Sequence, residues 1–358
     1  MSTGGVALLL SPRTQPHTFP GLLTIGKTVY ILDLIIFTVT TLLITHRFLR
    51  TPKLLRASIT HPSEGLFMPT AFLSLANIIG GIGVYGIPAC GPWLITAYRV
   101  LFWTYFALTF LLALGMYHML FTNPSLRVED MTPAWDLPIF PVMLTGTLAA
   151  IGAADQPEGY AVPMLVAGTL GQGLGMLISL LMYACYIHRM IQYGLPSPAS
   201  RPAMFIAVGP PAFTSLALIG MAGAWPREAS YFGIEGEMLG HLLQMLATVT
   251  AVFIWLLAFW FFGIALLANL AVARQITFHL NWWAYIFPNV GFTIATIRIG
   301  DQFNSEGIRW VGSAMSVLVV AAYLFVLVMH VSALLKKKIL LEGKDEDNYL
   351  GEDKPKNY

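Results

Sequence analysis

Four stretches of the sequence combine helix-breaking residues with side chains that can hydrogen-bond an anion. Each stretch is an apolar run that carries serine, threonine or asparagine and is interrupted by proline or glycine. The polar residues are Ser74, Asn77, Thr145, Thr147, Thr214, Ser215, Asn289, Thr293 and Thr296, and the breaking residues beside them include Gly209, Pro210, Pro211 and Pro288. Hydroxyl and amide groups beside kinked helix ends suit an anion held by dipoles and hydrogen bonds. We therefore predict that these residues line a conduit for an anion.

Proline gives a physical reason for this prediction. Within a spanning helix it leaves the carbonyl four residues earlier without its backbone donor. Lipid cannot satisfy that carbonyl, so irregular backbone at membrane depth occurs where it is buried in protein or lines a watery cavity. Two alternatives stay open. Proline and glycine are common in ordinary spanning helices, and a single serine or threonine often bonds back to its own helix.

Ionised residues are scarce in these broken stretches, and we expect Arg298 to be the one ionised side chain within their helices. A cation pathway favours carboxylates that face its lumen, and a proton pump typically carries Asp or Glu inside the membrane. The sequence indicates neither, so we expect no buried acid. Arg298 near the outer end of its helix and Arg47 at the inner end of another are possible carboxylate contacts. For each of them, the alternative is a plain interfacial anchor.

The elements that must position these side chains are membrane spans. Of the 358 residues, 56% are hydrophobic and 11% are charged, whereas a soluble domain has roughly 25% charged residues. A bilayer core needs about 20 apolar residues per helix. Nine apolar runs predict nine full spans, at 28–48, 65–88, 93–121, 136–154, 161–188, 202–225, 240–273, 281–300 and 309–335. We predict an all-α polytopic membrane protein, with a transmembrane domain over 1–335 and a hydrophilic tail over 336–358.

The predicted spans alternate between two characters. The runs at 93–121, 161–188, 240–273 and 309–335 are long and rich in leucine, alanine, methionine and aromatic residues. They are typical of lipid-facing or packing helices, and Gly171 and Gly175 have the spacing that suits close helix approach. The intervening runs are shorter and contain the breaks. This alternation predicts that the broken helices surround the conduit.

Lysine and arginine concentrate in alternate loops, which indicates the orientation in the membrane. One set comprises Arg47, Arg50, Lys53, Arg56, Arg127, Arg189, Arg201, Arg274 and Lys336 to Lys338, and the other comprises Arg13, Lys27, Arg227 and Arg309. We expect the first set, and the C-terminal tail with it, in the cytoplasm.

Residue patterns for other chemistries are missing from the sequence. The broken stretches contain no paired carboxylates, no metal triad and no Ser/His or Cys/His constellation, and the chain has no nucleotide-binding loop or basic nucleic-acid patch. Cys90 and Cys185 fall on opposite sides of the membrane and predict no disulfide. We therefore expect a transport protein, not an enzyme, with no metal site, no cofactor and no nucleic-acid partner.

Several segments resemble a known family of transporters. They are "RPAMFIAVGPPAFTSLAL" (201–218), "NWWAYIFPNVGFTIATI" (281–297), "PAWDLPIFPVMLTGT" (133–147), "GQGLG" (171–175) and "GKDED" (343–347). They resemble the fungal malic-acid transporters of the tellurite-resistance and dicarboxylate transporter family. That superfamily also includes bacterial tellurite-resistance proteins, yeast sulfite efflux pumps and plant slow-type anion channels.

The resemblance implies ten helices in five hairpins, with odd-numbered helices around a central pore, even-numbered helices outside them, and three subunits per assembly. The apolar stub at 1–10 resembles part of the first pore-lining helix, so we expect the preceding half-helix to be missing and that helix to be truncated.

In the family a phenylalanine that plugs the pore precedes a proline, and the matching residue is Phe287 beside Pro288; a packing aromatic is the alternative. The implied function is transport of C4-dicarboxylates such as malate and succinate at the plasma membrane. A sulfite or inorganic-anion pathway is the runner-up.

Overall fold

The computed structural model describes residues 1–53, 55, 58, 64–122, 127–228, 230–337 and 339. Within these residues the secondary structure is helical and contains no named strand. The ten principal helices are α1 (Ser2–Leu9), α2 (Leu22–Arg50), α3 (Thr70–Gly81), α4 (Trp93–Phe121), α5 (Phe140–Gly152), α6 (Glu158–Tyr193), α7 (Gly209–Gly223), α8 (Gly236–Leu270), α9 (Phe287–Gln302) and α10 (Glu306–Leu335). The expected all-α class and the ten-helix order are confirmed.

The odd-numbered helices form a closed inner ring. Helix α1 contacts α3, α3 contacts α5, α5 contacts α7, α7 contacts α9, and α9 returns to α1. Each even-numbered helix packs outside this ring, against the inner helix of its own hairpin and against the inner helix of the next one. The five hairpins implied by the resemblance are therefore present.

Burial separates the two layers in the way that lipid requires. Most residues of α5 and α7 are buried, whereas α2 buries only Leu22, Gly26 and Asp33. The outer helices expose large apolar side chains along their length, among them Leu42, Phe253 and Val317. Such a continuous apolar surface suits hydrocarbon and not water.

Seven helical segments in the described part of the chain are long and apolar enough to cross a membrane. They are α2, residues 65–90 around α3, α4, α6, residues 198–223 around α7, α8 and α10. Helices α5 and α9 are shorter than the runs at 136–154 and 281–300, because each α-helix begins only at a proline-containing first turn. Proline fits a first helical turn, where its missing N–H has no intrahelical partner to lose.

The prolines thus mark where inner helices start, and the chain leads into them through tighter turns. Residues Pro198–Val208 form a 3₁₀ segment before α7, and Leu280–Tyr285 form another before α9. Helix α3 is followed by a different irregularity, a π-helical stretch at Ile82–Gly86 that continues into the short helix Ile87–Cys90. All of these irregular stretches adjoin inner helices. Residues 202–208 are buried throughout, whereas Leu280–Tyr285 is half-buried and Ile87–Cys90 contains no buried residue.

Small residues let the outer helices approach the inner ones closely. A Cβ added to Gly171 of α6 would lie 2.7 Å from the carbonyl oxygen of Val142, and one added to Gly175 would lie 2.5 Å from Cβ of Met143. The expectation from the glycine spacing in this helix is confirmed.

Basic residues mark one end of the molecule, which we call the basic face. The even-numbered helices end there, and the loops before α5, α7 and α9 lie there too. Arg189 donates from Nε to the carbonyl of Glu129 at 3.2 Å, and Arg201 donates from Nη1 to the carbonyl of Ala268 at 2.8 Å. These bonds join successive loops of the basic face. Arg56, Lys338 and most of the tail over 336–358 lie outside the described residues, and the domain boundary at 335 stays a prediction.

Candidate functional site

A cavity of about 350 Å³ lies inside the ring of odd-numbered helices. All five inner helices contribute to its wall, through residues such as Leu8, Ala76, Leu144, Leu216 and Ile294. It extends from Phe213 to the ends of the inner helices on the face opposite the basic face, where Arg298 and Gln302 line it. Its volume falls within the range of small-molecule sites.

Three phenylalanine rings pack together where the cavity stops, and we call Phe140, Phe213 and Phe287 the phenylalanine plug. The Phe287 ring stacks on Phe213 with 5.0 Å between ring centroids, and its centroid lies 6.0 Å from that of Phe140. Phe140 meets Phe213 edge-on at 5.6 Å. Phe287 is only 1% exposed, so the three rings fill the space between α5, α7 and α9.

Each ring of the plug rests against a glycine of a neighbouring inner helix. The pairs are Phe213 with Gly291, Phe140 with Gly209, and Phe287 with Gly5. A Cβ at Gly291 would lie 2.6 Å from the Phe213 ring, and one at Gly5 would lie 3.2 Å from the Phe287 ring. Glycine at these places therefore gives the rings room that any side chain would take.

Among the polar residues predicted to line the conduit, Asn77, Thr147 and Arg298 lie in the cavity wall. The Asn77 amide donates to the carbonyl of Leu73 at 3.0 Å. The Thr147 hydroxyl is shielded from solvent and has no hydrogen-bond partner among the described residues. A shielded hydroxyl without a partner is costly, so Thr147 is an unsatisfied polar group in the cavity wall.

Three of the other predicted hydroxyls face outer helices instead of the cavity. Thr214 accepts a hydrogen bond from Nε2 of Gln172 on α6 at 2.8 Å, and Ser215 donates to the carbonyl of Ala251 on α8 at 2.9 Å. Thr296 accepts from the indole N–H of Trp255 on α8, also at 2.9 Å. These hydroxyls fasten the inner layer to the outer one.

The remaining predicted residues bond to their own helix or lie at its start. Ser74, Thr145 and Thr293 donate to carbonyls three or four residues earlier, and Asn289 donates from Nδ2 to the carbonyl of Tyr285. Gly209, Pro210, Pro211 and Pro288 are buried in the first turns of α7 and α9. None of these eight residues lines the cavity.

Arginines gather at the mouth of the cavity. Arg13 and Arg298 both line it, and Nη2 of Arg298 donates to the carbonyl of Arg13 at 3.1 Å. Asp301 lies 3.8 Å from Nη1 of Arg298 and 3.1 Å from Nε of Arg309. Arg309 also pairs with Glu306 at 2.8 Å. This group holds three arginines against two carboxylates, so the mouth keeps an excess of positive charge.

Sequence reasoning missed several wall residues. Arg13, Thr14 and Gln302 line the mouth, and Phe213 lines the closed end. The repeat Val290, Ile294, Arg298 and Gln302, at four-residue spacing on α9, is the signal that could have identified Gln302. Arg13 and Thr14 follow α1 in a loop, where no periodicity indicates a direction. Arg47 is exposed near the end of α2, outside the cavity wall.

The expectation of no buried acid is wrong. Asp33 on α2 is 2% exposed and lies against Gly4 of α1, and Asp136 is 1% exposed in the 3₁₀ turn Pro133–Asp136 that precedes α5. Neither of them lines the cavity. Both belong to runs that the sequence places in the membrane, but their burial depends on contacts between helices that hydropathy does not reveal.

Comparison with known proteins gives a consistent result along the chain. The family described as SLAC1, voltage-dependent anion channel, matches residues 1–331. The chain is 35% identical over 350 residues to the malic acid transport protein of Schizosaccharomyces pombe. This alignment covers 97% of this chain and 79% of that protein. It is 25% identical over 335 residues to the sulfite efflux pump SSU1 of Arthroderma otae, covering 92% and 88% of the two chains. With its ten helices in five hairpins, this chain belongs to the SLAC1 voltage-dependent anion channel family.

Proposed function

We propose that this protein transports small carboxylate anions, most notably C4-dicarboxylates such as malate and succinate, through its inner ring of helices. One observation carries the proposal. A cavity enclosed by all five inner helices ends at an aromatic plug on one side and at two arginines on the other. The similarity to a malic acid transport protein supports malate as the substrate.

The chemistry of the cavity favours an anion over a cation. Among the described residues that line it, Arg13 and Arg298 are charged and no carboxylate is present. The neutral polar residues of the wall are Thr14, Asn77, Thr147 and Gln302, and the rest is apolar. Such a wall attracts negative charge at its mouth and presents a few hydrogen-bond donors deeper inside.

Phe287 is the residue that we propose as the gate. Its apolar ring, stacked on Phe213, prevents passage of a hydrated anion without a movement of the rings. A constriction of this kind gates by steric obstruction and by excluding water. The glycines that contact the rings carry no Cβ, so no side chain at these positions blocks a sideways displacement of the plug.

The proposal also covers the membrane in which the protein lies, its orientation and its oligomeric state. We place it in the plasma membrane with the basic face and the C-terminus in the cytoplasm, because lysine and arginine concentrate on that face. The cavity then opens to the outside, and Arg47 stands near the cytoplasmic end as a possible carboxylate contact. We also propose a homotrimer, as the family resemblance implies, and the mass of the protein in mild detergent tests it.

Sulfite or another inorganic anion is the alternative substrate, and the 25% identity to a sulfite efflux pump supports it. Two observations favour a carboxylate instead. The identity to the malic acid transport protein is higher at 35%, and the apolar residues between the plug and the mouth suit a carbon chain better than a small inorganic ion.

Flux into proteoliposomes tests the proposed function. Purified protein should take up labelled malate, and unlabelled succinate should compete with it more strongly than sulfite or chloride at equal concentration. Vesicles without protein provide the background. Sulfite flux that exceeds malate flux would support the alternative, and no flux of any anion would overturn the proposal.

A further inference from the structure

The mouth of the cavity carries hydrogen-bonding capacity that the protein itself leaves unused. Arg298 is about one-third exposed, and its hydrogen bond among the described residues is the one from Nη2 to the carbonyl of Arg13. A guanidinium has five N–H donors. The Asp301 contact at 3.8 Å is an ion pair that exceeds hydrogen-bonding distance. Most of the Arg298 donors are therefore open to a ligand.

Arg13 supplies a second arginine to the wall of the same cavity. It is exposed, lines the cavity, and has no ion-pair partner within the described part of the chain. Its backbone carbonyl accepts a hydrogen bond from Arg298, so the Arg298 side chain lies against the Arg13 backbone. Two guanidinium groups with free donors suit a carboxylate, which accepts hydrogen bonds from arginine in a bidentate arrangement.

The wall below the arginines is apolar. Ile294 lies one turn below Arg298 on α9, and Ile151 and Ile219 come from the inner helices α5 and α7. This arrangement suits a ligand with a charged end at the mouth and a short carbon chain below it. It does not match a compact inorganic anion, which has no apolar part to place there.

Asp301 sits where it competes with such a ligand. Its carboxylate lies between Arg298 and Arg309, at 3.8 Å from the first and 3.1 Å from the second. Arg309 therefore draws Asp301 away from Arg298. If Arg309 bound Asp301 less tightly, Asp301 would pair more closely with Arg298. Fewer Arg298 donors would then be free for a ligand.

We propose that Arg13 and Arg298 form a capture site for one carboxylate of a dicarboxylate at the cavity mouth, and that Asp301 is its resident counter-ion. The inference rests on the proposed transport function and specifies how the substrate is recognised. It predicts opposite effects for two neighbouring substitutions. Asp301→Asn removes the competitor and strengthens capture, whereas Arg309→Gln releases Asp301 toward Arg298 and weakens it.

The test measures KM and kcat for malate uptake in proteoliposomes at low ionic strength. Arg298→Gln and Arg13→Gln should each raise KM for malate about tenfold, because hydrogen bonds to charged groups are lost, with kcat changed far less. Asp301→Asn should lower KM and Arg309→Gln should raise it, each by about threefold at a partly exposed pair. The KM for monomethyl succinate, which carries one charge, should change less in these variants than the KM for succinate.

Lys27→Gln is the control, because it removes a positive charge from an exposed site of α2 that does not line the cavity. Its KM should stay that of the wild type. If Asp301→Asn and Arg309→Gln shift KM in the same direction, they act through general destabilisation and the inference fails. It also fails if wild type transports malate while Arg298→Gln and Arg13→Gln keep its KM. A wild type that moves no malate would instead overturn the proposed function.

Discussion

Substitution of Phe287 by alanine tests whether the phenylalanine plug closes the pathway. The ring is 1% exposed and stacks on Phe213 at a centroid distance of 5.0 Å. Burial of a phenylalanine side chain is worth roughly 1.5–3 kcal/mol. If the ring must leave this packing for an anion to pass, its removal lowers the barrier by about that amount. Since about 1.4 kcal/mol corresponds to a tenfold rate, chloride flux should rise about 10- to 100-fold.

The assay compares chloride efflux and malate uptake in proteoliposomes that hold equal amounts of folded protein. Phe287→Ala should raise both fluxes, and the preference for malate over chloride should fall because the steric constriction is gone. Phe259→Ala is the matched control. That ring is on outer helix α8 and is 49% exposed, so its removal should not open the pathway.

A packing role for Phe287 predicts the opposite pattern. Truncation of a buried phenylalanine in a well-packed core costs about 3–5 kcal/mol, which would lower expression and flux while selectivity stays constant. Phe287→Leu retains part of the side-chain bulk and provides an intermediate case if the alanine variant folds poorly. Unchanged chloride flux in a well-folded Phe287→Ala protein would refute the gate.

Three further predictions follow from packing and orientation. Gly291→Ala places a Cβ 2.6 Å from the Phe213 ring, so overpacking should lower the free energy of unfolding by about 1–3 kcal/mol. The measurement is the melting temperature in detergent, which should fall. An unchanged melting temperature would show that the ring moves aside freely. Thr214→Val leaves the buried amide of Gln172 without its acceptor, which should lower the free energy of unfolding by about 1–3 kcal/mol. The KM for malate should stay constant. A changed KM would place Thr214 in the pathway. Cys90 is exposed at the end of the short helix Ile87–Cys90, opposite the basic face. An impermeant maleimide should therefore label it on intact cells and fail to label Cys90→Ser. Labelling only after permeabilisation would reverse the proposed orientation.

The amino-acid sequence alone determined the fold class, the order of the helices and their division into two layers. Outer helices contact lipid, which accepts only apolar side chains and fully bonded backbone, so they are long and uninterrupted. Inner helices such as α7 contact protein on all sides and can carry Pro210 and Pro211 at their start. This chemical difference is visible in composition, and for that reason the alternation of runs predicted the ring.

Only the tertiary structure decided which residues face the cavity. Thr145 and Thr147 are two residues apart on α5, yet Thr145 contacts Gly171 of α6 and Thr147 lines the cavity. Helix α5 is buried on nearly every side, so no polar face distinguishes the lumen from the contacts with outer helices. Arg13 belongs to a loop, and its place beside Arg298 depends on the closure of the ring between α1 and α9. Hydropathy measures how far a residue avoids water, whereas the direction of a side chain inside a fully buried layer is set by which helices pack against it.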